Sequence, residues 1–273
     1  MLIKAGYEIT YQCAQPTPML LVLSVHPTRL PDLQTPQHLS FDPDLISDDY
    51  VDGFGNVCTR IIAPSGVMTI RTDFVIADSG EPDVIEPHAR QHAIDELPED
   101  ALVFLLGSRY CETDRLSDTA WSLFSHTPPG WARVQAICDY VHDWIVFGYE
   151  HARVTKSAWD SYMERKGVCR DYAHLAIAFC RCMNIPARYC TGYLGDIGVP
   201  RVDPMDFSAW FEVYLGNRWY AFDARSNKPR IGRILMARGR DATDVAISTS
   251  FGASTLLGFK VVSDEIQTSS LAV

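Results

Sequence analysis

The chain has 273 residues, of which 47% are hydrophobic and 21% charged, a balance that excludes disordered, collagen-like and coiled-coil proteins. Its 24 basic against 34 acidic residues give a net charge of −10, which argues against nucleic acid or an anionic membrane as the main partner. No apolar run approaches the ~18 residues of a membrane helix, and the start, Met1-Leu2-Ile3-Lys4-Ala5-Gly6, lacks the pattern of a signal peptide. A soluble cytoplasmic protein is the expectation, with its eight cysteines reduced.

Residues 1–107 read as a small β domain, sandwich-like in organisation. Tyr7, Ile9, Tyr11 and Cys13 alternate with other positions, and Met19 to Val25 forms a strand-length apolar run. Asp52-Gly53-Phe54-Gly55-Asn56 is turn chemistry, and alternation resumes from Gly66 to Ala77. Ala101 to Leu106 is again of strand length. His88 and His92 stand four apart, as two ligands on one helix face would. They lack the glutamate of a zinc-protease motif, so no metal is expected there.

Residues 108–273 form the second unit. Its first part, 108–130, is a crossing segment of helix and loop. Helical periodicity follows: Trp131, Val134, Ile137, Val141 and Trp144 fall on one stripe. Gly167-Val168-Cys169-Arg170-Asp171-Tyr172 opens a helix predicted to run to about Met183, with Tyr172, Leu175, Ala176, Phe179 and Met183 as its apolar face. Asn184 and Pro186 end it. Cys169 then sits in the first turn, where free N–H groups and the helix dipole favour a thiolate and could hold an oxyanion. Cysteine alone would be read as a small buried residue, so the partners decide.

Those partners should lie downstream. Phe207 to Leu215 and Arg218 to Ala224 alternate on either side of Gly216-Asn217, which reads as a two-residue hairpin. Pairing Leu215 with Arg218 sets Trp210 opposite Asp223 and Ser208 opposite Arg225. Asp223 is then the diagonal neighbour of Ser208, roughly 7–8 Å away. An imidazole at position 208 could bridge that gap to a thiol, whereas a serine hydroxyl is too short.

Gly167 to His174, the strand Ala187 to Leu194, and Asp206 to Val213 followed by Trp219 to Arg225 resemble the bacterial transglutaminase-like superfamily. The N-terminal half resembles the β domain that precedes the core in such proteins. The resemblance implies an α+β fold: a papain-like transglutaminase core, with the cysteine-bearing helix packed on an antiparallel sheet, behind the β-sandwich-like domain. It also implies a Cys-His-Asp triad used for peptide hydrolysis or acyl transfer to amines. Cys169 matches the nucleophile and Asp223 the acid that orients the base.

The sequence departs from that pattern at Ser208, which stands where the family has its histidine, and at Ser226, where many relatives have a second one. No histidine follows His174. His174 lies about 140° around the helix from Cys169 and reads as a packed core residue, and His142 and His151 could approach the thiol only by fold-back. A general base is worth about 10²–10⁴-fold, and the histidine also stabilises the thiolate. The triad is therefore broken as written. The two expectations are a weakly active or inactive thiol hydrolase or acyltransferase, and a non-catalytic module that keeps the pocket and binds a peptide or protein segment. Neither needs a cofactor or metal.

Other residues read more plainly. Trp159 is a helix-packing residue before it is an acyl-pocket wall, Asp171 suits the positive end of the helix, and Trp210 shields Asp223. Arg225, Arg230, Arg233, Arg238 and Arg240 form a basic stretch that is solvated or salt-bridged. The tail from Ser263 onward is frayed or a last edge strand.

Overall fold

Alternation builds the first strands. In the computed structural model, which describes residues 1–202 and 204–267, β1 (Leu2–Cys13) buries Tyr7, Ile9, Tyr11 and Cys13. It is followed by β2 (Thr17–Leu21), β3 (Ser40–Asp42), β4 (Ser47–Val51), β5 (Val57–Ala63) and β6 (Gly66–Ala77). The Asp52 carboxylate accepts from the amides of Phe54 and Asn56 at 2.8 and 2.9 Å, which fixes the turn between β4 and β5.

Next come α1 (Glu99–Leu102), α2 (Thr113–Phe124), α3 (Trp131–Trp144), β7 (Val146–Phe147), α4 (Ala158–Glu164), β8 (Lys166–Gly167) and α5 (Cys169–Cys182). The chain ends with β9 (Ala187–Leu194), β10 (Ser208–Leu215), β11 (Arg218–Phe222), β12 (Arg233–Gly239), β13 (Ser248–Ser250) and β14 (Ser254–Glu265).

Three four-stranded sheets result, ordered β14-β1-β6-β3, β13-β2-β5-β4 and β11-β10-β9-β12. The first two pack face to face as a sandwich, with Ile3, Ile9, Met19, Leu21, Ile61 and Ile70 in one shared core. Tyr193, Phe207, Ile234 and Met236 of the third sheet and its flanks enter that same core, so sandwich and catalytic-type sheet share an interior. Further along the same sheet, Phe211, Val213 and Leu215 enter a second core with α2, α3 and α5. Helix α5 is buried all round from Asp171 to Cys182 rather than along the single stripe its spacing suggests. Each large apolar side chain buried there contributes about 1.5–3 kcal/mol relative to an exposed one.

Two expectations change. Residues 78–107 contain no strand, and Ala101 to Leu106 is helical, in α1 and a following 3₁₀ turn. Everything after residue 107 was assigned to the second unit, yet β13 pairs with β2 and β14 with β1 along almost its full length. The end of the chain completes the N-terminal sheets. The tail expected to be frayed or a last edge strand is an edge strand as far as Glu265, and the part of that expectation at 268–273 lies outside the described residues.

Candidate thiol site

The site begins with how α5 starts. The Asp171 carboxylate accepts from the Val168 amide at 2.9 Å, closing the helix start from within the first turn. The amides of Asp171 and Tyr172 reach back to the Val168 carbonyl, leaving those of Cys169 and Arg170 at the open end of the helix. Gly167 is required for this geometry, since a Cβ there would lie 2.6 Å from the Asp171 Oδ2.

The opposing wall comes from the hairpin. Gly216 and Asn217 have φ of 53° and 68°, a type I′ turn, and Leu215 pairs with Arg218 as the register predicts. That ladder stops at Phe211–Phe222. Trp210 and Ser208 pair on the other side with Cys190 and Gly192 of β9, so the expected Trp210–Asp223 and Ser208–Arg225 pairs do not form part of the ladder. Asp223 instead begins the turn after β11, where its carbonyl accepts from the Asn227 amide at 2.7 Å.

Cys169 is half-buried and lies between two adjoining clefts, of about 340 and 360 Å³. Asp206, Phe207 and Ser208 line both clefts along with it. One lobe adds Arg225 and Arg230, the other Val154 and Ile247. Neither lobe is lined by a histidine. The structure thus brings Cys169 and Ser208 together. Asp223 is buried, and lines a separate small pocket with Trp131 and Cys138.

At this sulfur, burial outweighs the pull of the helix start toward a thiolate. Burial pushes the Cys169 thiol up to about 11. The Arg225 guanidinium and the Ala209 backbone N–H, which donates toward the sulfur, pull it down. The carboxylates of Asp206 and Asp223 push it further up. Desolvation wins over the helix start, and at pH 7 the sulfur is protonated.

Asp223 has other partners. Its Oδ1 accepts from the Ser226 amide at 2.9 Å, and its Oδ2 from Arg233 Nη2 at 3.2 Å. Arg233 also directs its Nε to both carboxylate oxygens of Asp83, each at 2.9 Å. Of the two readings of the basic stretch, solvated or salt-bridged, Arg233 takes the second, with a side chain 8% exposed.

The remaining histidines are placed elsewhere. His174 is fully buried, stacked on Tyr110, and its Nε2 accepts from the Ala242 amide at 3.1 Å. Burial holds it down to about 3, so it is neutral. His142 contacts the Ala224 carbonyl through Nδ1, and His151 faces Glu150. His88 and His92 share no helix, and His92 Nε2 accepts from the Asn217 amide. Among the described residues no group of three or more His, Cys, Asp or Glu is arranged to hold a metal. Trp159 lines neither cleft and sits under the Arg115 guanidinium.

A cysteine at the start of a buried helix, packed on an antiparallel sheet, defines the papain-like α+β class of thiol folds. Residues 120–224, which include Cys169, Ser208 and Asp223, match the profile of the transglutaminase-like superfamily. That stretch of the chain is a transglutaminase-like core. A crystal structure from Cytophaga hutchinsonii, of a protein proposed to be a cysteine protease, superposes with a TM-score of 0.82 at 29% identity, covering 98% of this chain and 92% of that one. An uncharacterized protein of Mycobacterium leprae is 35% identical over 97 residues, 34% of this chain. The chain therefore spans about a third of that relative's length. An uncharacterized protein of Mycobacterium tuberculosis is 24% identical over 214 residues, covering 71% of this chain and 68% of its own.

Sequence reasoning missed Asp206 and Arg233 as neighbours of the site. Arg225 was visible opposite Ser208 in the expected hairpin and within the basic stretch, but its action on the Cys169 thiol was not.

Proposed function

We propose that this protein is a transglutaminase-like module with a degenerate Cys-Ser-Asp site, which binds an extended peptide or protein segment across the two lobes flanking Cys169 without turning it over at a useful rate. One observation carries the reading: no imidazole lines either lobe, and the carboxylate that would orient one is taken by Arg233 and Ser226. A serine at position 208 can neither take the thiol proton nor pair with a thiolate at neutral pH. With the thiol near 11, about one molecule in ten thousand carries the thiolate at pH 7.

A second reading rests on Arg225 and the Ala209 N–H, both of which favour the thiolate. In it the protein is a slow cysteine hydrolase or acyltransferase, retaining the residual catalysis that positioning and oxyanion donors supply after loss of a triad member.

Site-resolved alkylation by mass spectrometry separates the two, because it distinguishes Cys169 from the other seven cysteines. Native Cys169 is expected to react with iodoacetamide only above about pH 9, and Ser208→His to move that onset down by a unit or more. Ready alkylation of native Cys169 at pH 5–6, or peptide hydrolysis abolished by Cys169→Ala, overturns the binding-module reading in favour of the enzyme.

A further inference from the structure

The two lobes beside Cys169 hold their cations differently. In the lobe of Val154 and Ile247 both arginines are tied to carboxylates: Arg153 to Glu164 at 2.9 Å and to Asp160 at 3.3 Å, and Arg170 to Asp171 at 3.4 Å. The other lobe is lined by Arg225, Lys228 and Arg230 against Asp196 and Asp206, a local excess of positive charge in a chain whose net charge is −10.

Most of that second lobe is committed as well. Arg230 donates to the Gly195 carbonyl at 3.0 Å, to Asp196 at 3.3 Å and to the Ser226 hydroxyl at 3.4 Å. Asp196 also accepts from the Val202 amide at 2.8 Å. Asp206 takes the N–H of Phe207 and feels the charge of Arg225, yet forms no ion pair with it.

Arg225 is the exception. It is half-buried, and its guanidinium makes no hydrogen bond or ion pair among the described residues. It lies over the Phe147 ring, 4.1 Å from the centroid. Phe147 pairs with Gly167 in the β7–β8 ladder, two residues before Cys169, which fixes the guanidinium beside the sulfur. Its charge accordingly pulls down on both the Cys169 thiol and the Tyr149 hydroxyl. Tyr149 lines the same lobe, its ring edge-on to Phe147 at 5.2 Å, and its hydroxyl makes no hydrogen bond among the described residues. A guanidinium with one face on a ring keeps its edge of N–H donors free for a planar acid.

We propose that Arg225 is the specificity residue of this lobe, and that the segment bound beside Cys169 carries an aspartate or glutamate whose carboxylate docks on the Arg225 guanidinium, with the Tyr149 hydroxyl as a second donor. The inference rests on the peptide-binding reading above and names the chemistry of the segment. It also fits a silent site: a carboxylate on Arg225 offsets the cation that favours the thiolate, so occupancy leaves the sulfur more firmly protonated.

The test begins with a random heptapeptide library displayed on phage and panned against the full chain. Selected sequences are synthesised with amidated ends and measured by fluorescence polarisation. They should share an acidic position, and changing that acid to glutamine should weaken binding by about tenfold or more, a comparison that needs no protein variant. On Arg225→Gln the Glu and Gln peptides should bind within about twofold of each other, and Arg225→Lys, which keeps a cation over Phe147, should restore part of the difference. The peptides should also shield Cys169 from iodoacetamide at about pH 9.5, where the thiol begins to react. Peptides that shield Cys169 but bind equally well as Glu and Gln, or that keep their preference on Arg225→Gln, overturn the role of Arg225 and leave the peptide-binding reading standing. A library that yields no saturable binder, or only binders that leave Cys169 open to alkylation, overturns both.

Discussion

The two walls of the thiol site have been treated differently. On the helix wall the supports for a nucleophile are present: Gly167 allows the close approach of Asp171, Asp171 caps the start, and the Cys169 and Arg170 amides are left at the open end. On the hairpin wall the position for a base holds Ser208, and the acid has become one leg of an ion network with Arg233 and Asp83. The difference teaches that both carboxylates of the site have structural duties apart from any chemistry. Asp171 and Asp223 both bond backbone amides whatever the chemistry; an imidazole at 208 has no such second task.

If that is so, the hairpin wall should matter more to stability than the thiol. Arg233→Met leaves Asp83 and Asp223 as buried carboxylates without their cation, and should cost about 3–5 kcal/mol in urea unfolding. A cost below about 1 kcal/mol would show that the network is not structural. On the helix wall, Gly167→Ala forces the Asp171 carboxylate off the Val168 amide and should cost about 1–2 kcal/mol, close to the effect of Asp171→Ala.

His174 tests whether the interior of α5 is packing rather than chemistry. Its folded value of about 3 lies below the ordinary histidine range, so the unfolded chain takes up its proton first as pH falls. The stability it protects is complete above about pH 6.5 and is lost progressively down toward pH 3. His174→Gln should reduce the slope of unfolding free energy against pH in that window by up to about 1.4 kcal/mol per pH unit. His26, held down to about 4 chiefly by burial, adds to the same window and should remain in the variant. The smallest effect belongs to the nucleophile position itself. Cys169→Ala should change stability by less than about 1 kcal/mol, because the half-buried sulfur anchors no hydrogen-bond network.

Much of this was legible locally. The start of α5 and the Leu215–Arg218 register follow from periodicities and from a Gly-Asn turn whose backbone demands are strict, while the bounds of β9 came with the family resemblance. What escaped was long-range. Nothing in Ser254–Glu265 announces that it pairs with β1 rather than with the nearer core sheet, because strand alternation specifies a buried face and not a partner. Arg233 read as one of several solvated or salt-bridged arginines, and its partners, Asp83 and Asp223, stayed hidden because three separate segments meet to make the contact. For the thiol, the helix start and the missing base are visible in sequence, whereas the desolvation that adds to the loss of the base depends on the tertiary walls.

The pairing of Ile3 with Glu265 has a consequence for how the molecule is made. During synthesis β1 has β6 on one side within the first eighty residues, but its other edge stays open until the ribosome has nearly finished this sequence. Contacts so distant along the chain raise the contact order and slow folding. Until then the nascent chain presents an unpaired strand edge of the kind that recruits chaperones or mispairs with a neighbour. A fragment ending before residue 254 would carry that open edge permanently, so expression trials cut at the apparent core boundary should yield aggregates where the full chain yields a folded protein.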